Sequence, residues 1–323
     1  MGEGIADLFL RPYNLKVWAW PANRMDWNWI GERVALPAPE PDPGSDRPGG
    51  EASDWGPNRM FRFPRRGGTG AIWRAIGAAL PPERVARRCR VVRIDAANRR
   101  LWTAHGREWS YEFLLSSMPL DELIRAAPGV VPESSADALL FSGTHVVGIG
   151  VRGTAPDALA TMCWMYFPES NSPYYRVTVF SNYSPNHVPE SAPHWSLLAE
   201  VSESAVRPVE RGGLVADVLR ALREDGLLPE GADVVSTVSR FLPHGYPTPF
   251  KGRDAVVDPI LRAFERRGIY SRGRFGAWKY EVSNQDHCFA QGREFADRLA
   301  AGGGPECEPT LHTPALVNAR ANP

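Results

Sequence analysis

The run from Thr144 to Gly153 constrains the fold most. It reads Thr-His-Val-Val-Gly-Ile-Gly-Val-Arg-Gly, and Gly148, Gly150 and Gly153 make a literal Gly-x-Gly-x-x-Gly. In a dinucleotide-binding unit those glycines form a tight turn between a strand and the helix whose N-terminus meets the pyrophosphate. Here they lie inside a β-branched run, and Pro156 follows within three residues. No helix of useful length fits before Cys163. The run therefore predicts one long strand, its glycines permitting close backbone approach.

Further strands are expected at 163–167, 175–180, 195–202 and 233–240. An amphipathic helix over 214–223 carries Leu214, Val215, Val218, Leu219 and Leu222 on one face. Helices near 254–266 and 286–301 complete the second half. Strands that follow one another without intervening helices predict an antiparallel sheet. The fold class is mixed: α/β in the broad sense, α+β in arrangement.

Upstream, residues 37–50 form a Pro/Gly-rich loop. Gly67-Gly68-Thr69-Gly70 feeds a helix whose apolar positions are Ile72, Trp73, Ile76 and Leu80, stopped by Pro81-Pro82. Residues 89–116 alternate as a three-strand meander, its third strand running from Tyr111 to Ser116. A short helix through Leu123 and Ile124 follows. The boundaries read as 1–60 (part of a helical region), 61–135 (helix plus meander), 136–265 (sheet domain), 266–302 (C-terminal segment) and 303–323 (tail).

The chain has 323 residues, room for about two domains. Its 37 cationic and 37 anionic side chains cancel, which argues against a nucleic-acid or anionic-membrane partner. No apolar run is long enough to span a membrane, and Met1 to Leu10 has no basic leader. Cys89, Cys163, Cys288 and Cys307 show neither metal spacing nor a disulfide framework, so a cytoplasmic setting and no metal are expected. Lysine occurs only at positions 16, 251 and 279, so nearly every cation is arginine. A bias this general makes no single arginine a site on spacing alone.

Several stretches are too particular to be generic. They are Phe9-Leu10-Arg11-Pro12-Tyr13-Asn14-Leu15-Lys16-Val17-Trp18, Trp29-Ile30-Gly31-Glu32-Arg33-Val34 and Trp55-Gly56-Pro57-Asn58. Arg62-Phe63-Pro64, Cys163-Trp164-Met165-Tyr166-Phe167-Pro168, Tyr175-Arg176 and Ser181-Asn182-Tyr183-Ser184-Pro185 follow. Last come His244-Gly245-Tyr246-Pro247-Thr248-Pro249 and Ser271 to Tyr280, ending in Asn284-Gln285-Asp286-His287. In order, and over nearly the whole chain, these resemble the UDP-galactopyranose mutases of the eukaryotic type.

The resemblance implies a flavoenzyme isomerase that interconverts UDP-galactopyranose and UDP-galactofuranose, a step in galactofuranose supply for cell-wall polysaccharide. Reduced FAD would attack the anomeric carbon through N5, with NAD(P)H or another reductant as partner. It implies that Arg33 and Arg176 hold the diphosphate and that Tyr166, Tyr246 and Tyr280 donate to it. Uridine would sit among Phe9, Asn14 and Trp18, and galactose near Asn58, Trp164 and Tyr183. Flavin contacts fall on Arg274, Asn284 and Gln285, with Val91 near the adenine; 61–135 becomes a partial FAD-binding domain, 266–302 a FAD-contacting segment, 136–265 the substrate-binding sheet domain and 1–60 part of the substrate region. Guanidinium pairs suit a departing diphosphate because they neutralise growing charge bidentately.

The family's N-terminal FAD-binding βαβ unit has no counterpart before Phe9. The expectation is therefore an incomplete flavoprotein fold that alone binds FAD weakly, exposes sheet edge and aggregates, with the activity of the chain alone left open. The alternatives are an amine-oxidase-type FAD oxidoreductase, and a non-catalytic fragment or half of a split mutase. A diphosphate clamp has no use for an amine substrate. A homo-oligomer remains open.

Overall fold

The structure, a computed structural model, describes residues 2–27, 29–30, 62–315 and 317. Arg33, Asn58 and the Pro-rich loop 37–50 lie outside the described residues. In chain order the helices are α1 (Glu3–Ile5), α2 (Arg11–Trp18), α3 (Gly70–Ala79), α4 (Leu120–Ala126), α5 (Leu214–Glu224), α6 (Arg253–Glu265), α7 (Gln285–Ala301) and α8 (Pro309–His312). The strands are β1 (Val91–Asp95), β2 (Arg100–Thr103), β3 (Glu108–Ser110), β4 (Leu114–Ser116) and β5 (Phe141–Arg152), then β6 (Trp164–Tyr166), β7 (Arg176–Val179), β8 (His194–Glu203), β9 (Val234–Pro247) and β10 (Ile269–Ser271). No described helix is long and apolar enough to cross a membrane.

The chain divides into two compact units. The first comprises Met1–Met25, Phe63–Arg90 and Leu140–Thr248. Its sheet has the order β6-β7-β8-β5-β9, antiparallel throughout. Gly148 and Gly150 lie in the second half of β5 and Gly153 just past its end at Arg152, and no α-helix opens there. Of these glycines Gly150 answers to packing, since a Cβ there would stand 2.4 Å from Ser236 Oγ; so does Gly143 earlier in β5, where a Cβ would stand 2.6 Å from the Phe241 ring.

Period-two alternation gives the sheet two unlike faces. Val147, Ile149 and Val151 of β5, Val177 and Val179 of β7, and Leu197, Ala199 and Val201 of β8 form one face. They pack with Leu214, Val218, Ala221 and Leu222 of α5 into a single apolar cluster. The pairings Arg176↔Glu200, Val146↔Glu200, Gly148↔Leu198 and Gly148↔Val238 set a more polar set on the other face. β9 runs seven residues beyond the expected end at 240, because β5 pairs with it as far as Phe141↔Pro247. Helix α2 tolerates Pro12 in its first turn and stops at Ala19, whose left-handed conformation lets its N–H reach Leu15 O at 2.9 Å. Ile72, Trp73 and Ile76 of α3 are exposed.

The second unit comprises Asp26–Arg62, Val91–Leu139 and Pro249–Pro323. The meander is present, but its third strand is β3 at 108–110. β4, expected as part of that strand, pairs in parallel with β10 instead. The left-handed Gly268 offers its carbonyl to Leu114 N at 2.9 Å and starts that pairing. The stretch after 303, read as a tail, is packed at Glu308, Thr310 and Leu311. Buried Arg272 donates to both Glu308 oxygens at 2.5 and 2.8 Å and to Glu265 at 2.8 Å. Arg298 donates to Glu308 at 2.5 Å. A partnership across more than thirty residues leaves no local pattern in the sequence.

Candidate functional site

In the first unit, β6, β7, β9 and α2 bring most of the anticipated residues into one neighbourhood. Tyr166 is the register partner of Arg176. Arg176 donates through Nε and Nη2 to the two carboxylate oxygens of Glu200, the latter at 2.9 Å. That fork uses one edge of the guanidinium and fixes its plane. Burial opposes the charge on Arg176, but Tyr246, Glu200 and Tyr175 outweigh it and hold the guanidinium more firmly protonated than usual. Tyr175 donates to Glu200 at 3.4 Å, and burial pushes its phenol well above the ordinary range.

Trp18 is buried and meets the Tyr246 ring at 5.6 Å, edge-on. Phe9 stacks on Tyr13 at 5.2 Å, and Tyr13 meets Tyr166 edge-on at 5.8 Å. Trp164 and Tyr183 stand 6.3 Å apart, nearly perpendicular. Burial pushes the Tyr183 phenol up to about 12, with Arg176 working in the opposite direction. Asn14 donates to Leu10 O at 2.7 Å, so its amide is anchored on its own helix. One permanent cation, several phenol donors and flat rings make a surface suited to an anion attached to a planar base.

In the second unit the segment 272–285 is a compact turn. Arg274 Nε donates to Ser283 O at 3.1 Å, and Ser283 Oγ donates to Tyr280 O at 2.8 Å. Buried Gln291 accepts from Gly273 N at 2.8 Å and donates to Val282 O at 2.9 Å, tying both ends of the turn to α7. Tyr280 also meets Trp29 edge-on at 5.6 Å. Asn284 is the extended residue before α7, with no side-chain cap bond, and Gln285 begins the helix. Arg274, Tyr280, Asn284 and Gln285 are thus assembled together. Val91 is on β1, in a separate sheet.

Glu265, Glu308 and His312 place ligand-type atoms within 4.8 Å of one another. Both carboxylates are committed to Arg272 and Arg298, which makes this a structural charge cluster. Glu200, Tyr175 and Tyr13 are the participants that sequence reasoning missed. Tyr13 and Tyr175 both stand inside the particular stretches of the sequence. Glu200 becomes visible only through the β7–β8 register.

The solved structure of reduced UDP-galactopyranose mutase is similar to this chain with a TM-score of 0.89 and 42% identity, covering 98% of this chain and 68% of that one. The fold is accordingly that of the FAD-dependent flavoproteins, with an antiparallel sheet in its substrate-side unit. The chain belongs to the UDP-galactopyranose mutase family. A fatty acid isomerase from P. acnes that produces CLA is similar in fold alone, with a TM-score of 0.52 and 13% identity over 72% of this chain and 52% of that one. No protein-family model matches the chain.

Proposed function

We propose that this chain holds UDP-galactose for isomerisation between its pyranose and furanose forms, with Arg176 as the diphosphate anchor. The observation that carries this reading is the Arg176 fork. Glu200 takes Nε and Nη2, which leaves the Nη1 edge for a ligand oxygen. A guanidinium already oriented loses little freedom when the diphosphate docks, and it is in place when negative charge grows on the departing UDP.

Tyr246, close enough to act on the charge of Arg176, and Tyr166, its register partner, would add phenol donors, and a neutral donor avoids crowding a second cation there. Trp18 and Phe9 offer rings for the uracil base, and Asn14 an amide for its edge. Trp164 and Tyr183 line the galactose end. Arg33 and Asn58 complete the proposal from outside the described residues, and Tyr280 is assigned to the diphosphate.

The second unit's donor set fits a flavin. Arg274 supplies a cation, and α7 is a seventeen-residue helix whose N-cap residue, Asn284, makes no side-chain cap bond. Its N-terminal N–H groups and dipole suit the electron-rich edge or chain of FAD. Arg274, Asn284, Gln285 and Val91 would hold that group. Reduced flavin, when bound, supplies the nucleophile that lets the sugar ring open and reclose without net redox change. NAD(P)H is the proposed reductant and the cytoplasm the proposed compartment.

The test is to incubate the chain with FAD, dithionite and UDP-galactofuranose and to separate the products. UDP-galactopyranose formed without net consumption of electrons supports the reading. A chain that neither converts the substrate nor binds UDP contradicts it.

A further inference from the structure

Lys16 is one of only three lysines in the chain, and its side chain is buried. Its Nζ donates to Glu169 O at 2.7 Å and to Ser172 Oγ at 3.2 Å, and lies 6.0 Å from the centroid of the Tyr174 ring. Glu169 and Ser172 belong to the connection between β6 and β7. That connection leaves the sheet just after Tyr166 and re-enters it at Arg176. The main-chain carbonyl of Lys16 in turn accepts from Ser202 Oγ on β8. One residue therefore ties α2 to two neighbouring pieces of the sheet.

Asn14 and Trp18 are four residues apart on α2 and share a face, while Lys16, two residues from each, projects from the opposite side. The helix thus presents its ring and amide in one direction and is anchored from the other. A buried ammonium is a costly anchor. Burial first, and Arg207 after it, lower the Lys16 amine, to about 8 once the opposing pull of Glu169 and Asp225 is included. A methionine would fill much the same volume without that cost. Stability alone does not account for a lysine here, in a chain that otherwise uses arginine almost everywhere.

We propose that Lys16 is a positioning residue: it fixes the distance between the helix that carries Asn14 and Trp18 and the strand pair that carries Tyr166 and Arg176. This rests on the reading of that neighbourhood as the UDP site. A ligand that spans both sides requires the two to stand at one spacing. A ligand that touches one side does not.

The experiment compares UDP with uridine, on the wild-type chain, Lys16→Met and Ser172→Ala, with thermal melting alongside. The expected result for Lys16→Met is a loss of at least tenfold in UDP affinity with uridine affinity unchanged within twofold. Ser172→Ala removes one of the two acceptors and should lose UDP affinity in the same selective way, by roughly twofold to fivefold. If Lys16→Met does not fold, Ser172→Ala decides by the same ratio. Unchanged UDP affinity in the folded variants overturns the proposal, and so does an equal loss for both ligands, the mark of general loosening. A wild-type chain that binds no UDP would instead sink the reading of the site itself.

Discussion

The two faces of the five-stranded sheet are made by alternate residues of the same strands, and they are built to different ends. On one, Val147, Ile149, Val177, Leu197 and Ala199 are essentially inaccessible and pack with α5. On the other, Arg176 and Glu200 face each other across β7 and β8, and Gly148 and Gly150 carry no side chain at all. The first face gains by removing apolar area from water, so its energy is spread over many contacts. The second keeps a charge pair and close backbone approach, so its value lies in geometry. A strand can serve both because its side chains alternate. Affinity and stability should accordingly separate along the chain with a period of two.

The largest effect that tests this separation is on the apolar face. Ile149→Ala should cost about 2–5 kcal/mol of stability, read as a fall in the urea midpoint, while the folded fraction keeps its UDP affinity. A loss of affinity at unchanged stability would break the comparison. On the opposite side of the site, Tyr246→Phe removes one phenol donor. It should cost about 1 kcal/mol of UDP binding, roughly five- to tenfold in Kd, with little change in melting temperature.

A further effect concerns pH. Lys16 is lowered to about 8 in the folded chain, against about 10.4 unfolded. Between those values the unfolded chain holds more protons, so this group makes stability rise with pH, by no more than about 1.4 kcal/mol per pH unit. Urea midpoints compared between pH 7.5 and 9.5 should rise less in Lys16→Met than in the wild type. Parallel curves would show that Lys16 does not titrate there.

The strands and helices of the second half were legible because each carries its own period. β5 alternates over twelve residues and α5 places its apolar side chains three and four apart. β4 was assigned to the wrong neighbour because a three-residue strand says nothing of its partner, and Gly268 lies more than a hundred and fifty residues away. The packed end of the chain was missed for a like reason. Glu308 looks like an ordinary surface acid until Arg272 and Arg298 close on it. In the site, Arg176 and the tyrosines stood out through particular motifs. Glu200 lay outside them, and Lys16 lay inside one without showing its role, because those roles come from register and from a loop that folds back onto α2.

The most direct test of the account is UDP titration by calorimetry of the wild-type chain and Arg176→Ala, with melting temperatures measured on the same samples. The account predicts a loss of about 2–4 kcal/mol in binding, roughly thirtyfold to a thousandfold in Kd, while the melting temperature moves by only a few degrees. UDP binding that survives Arg176→Ala unchanged would contradict it.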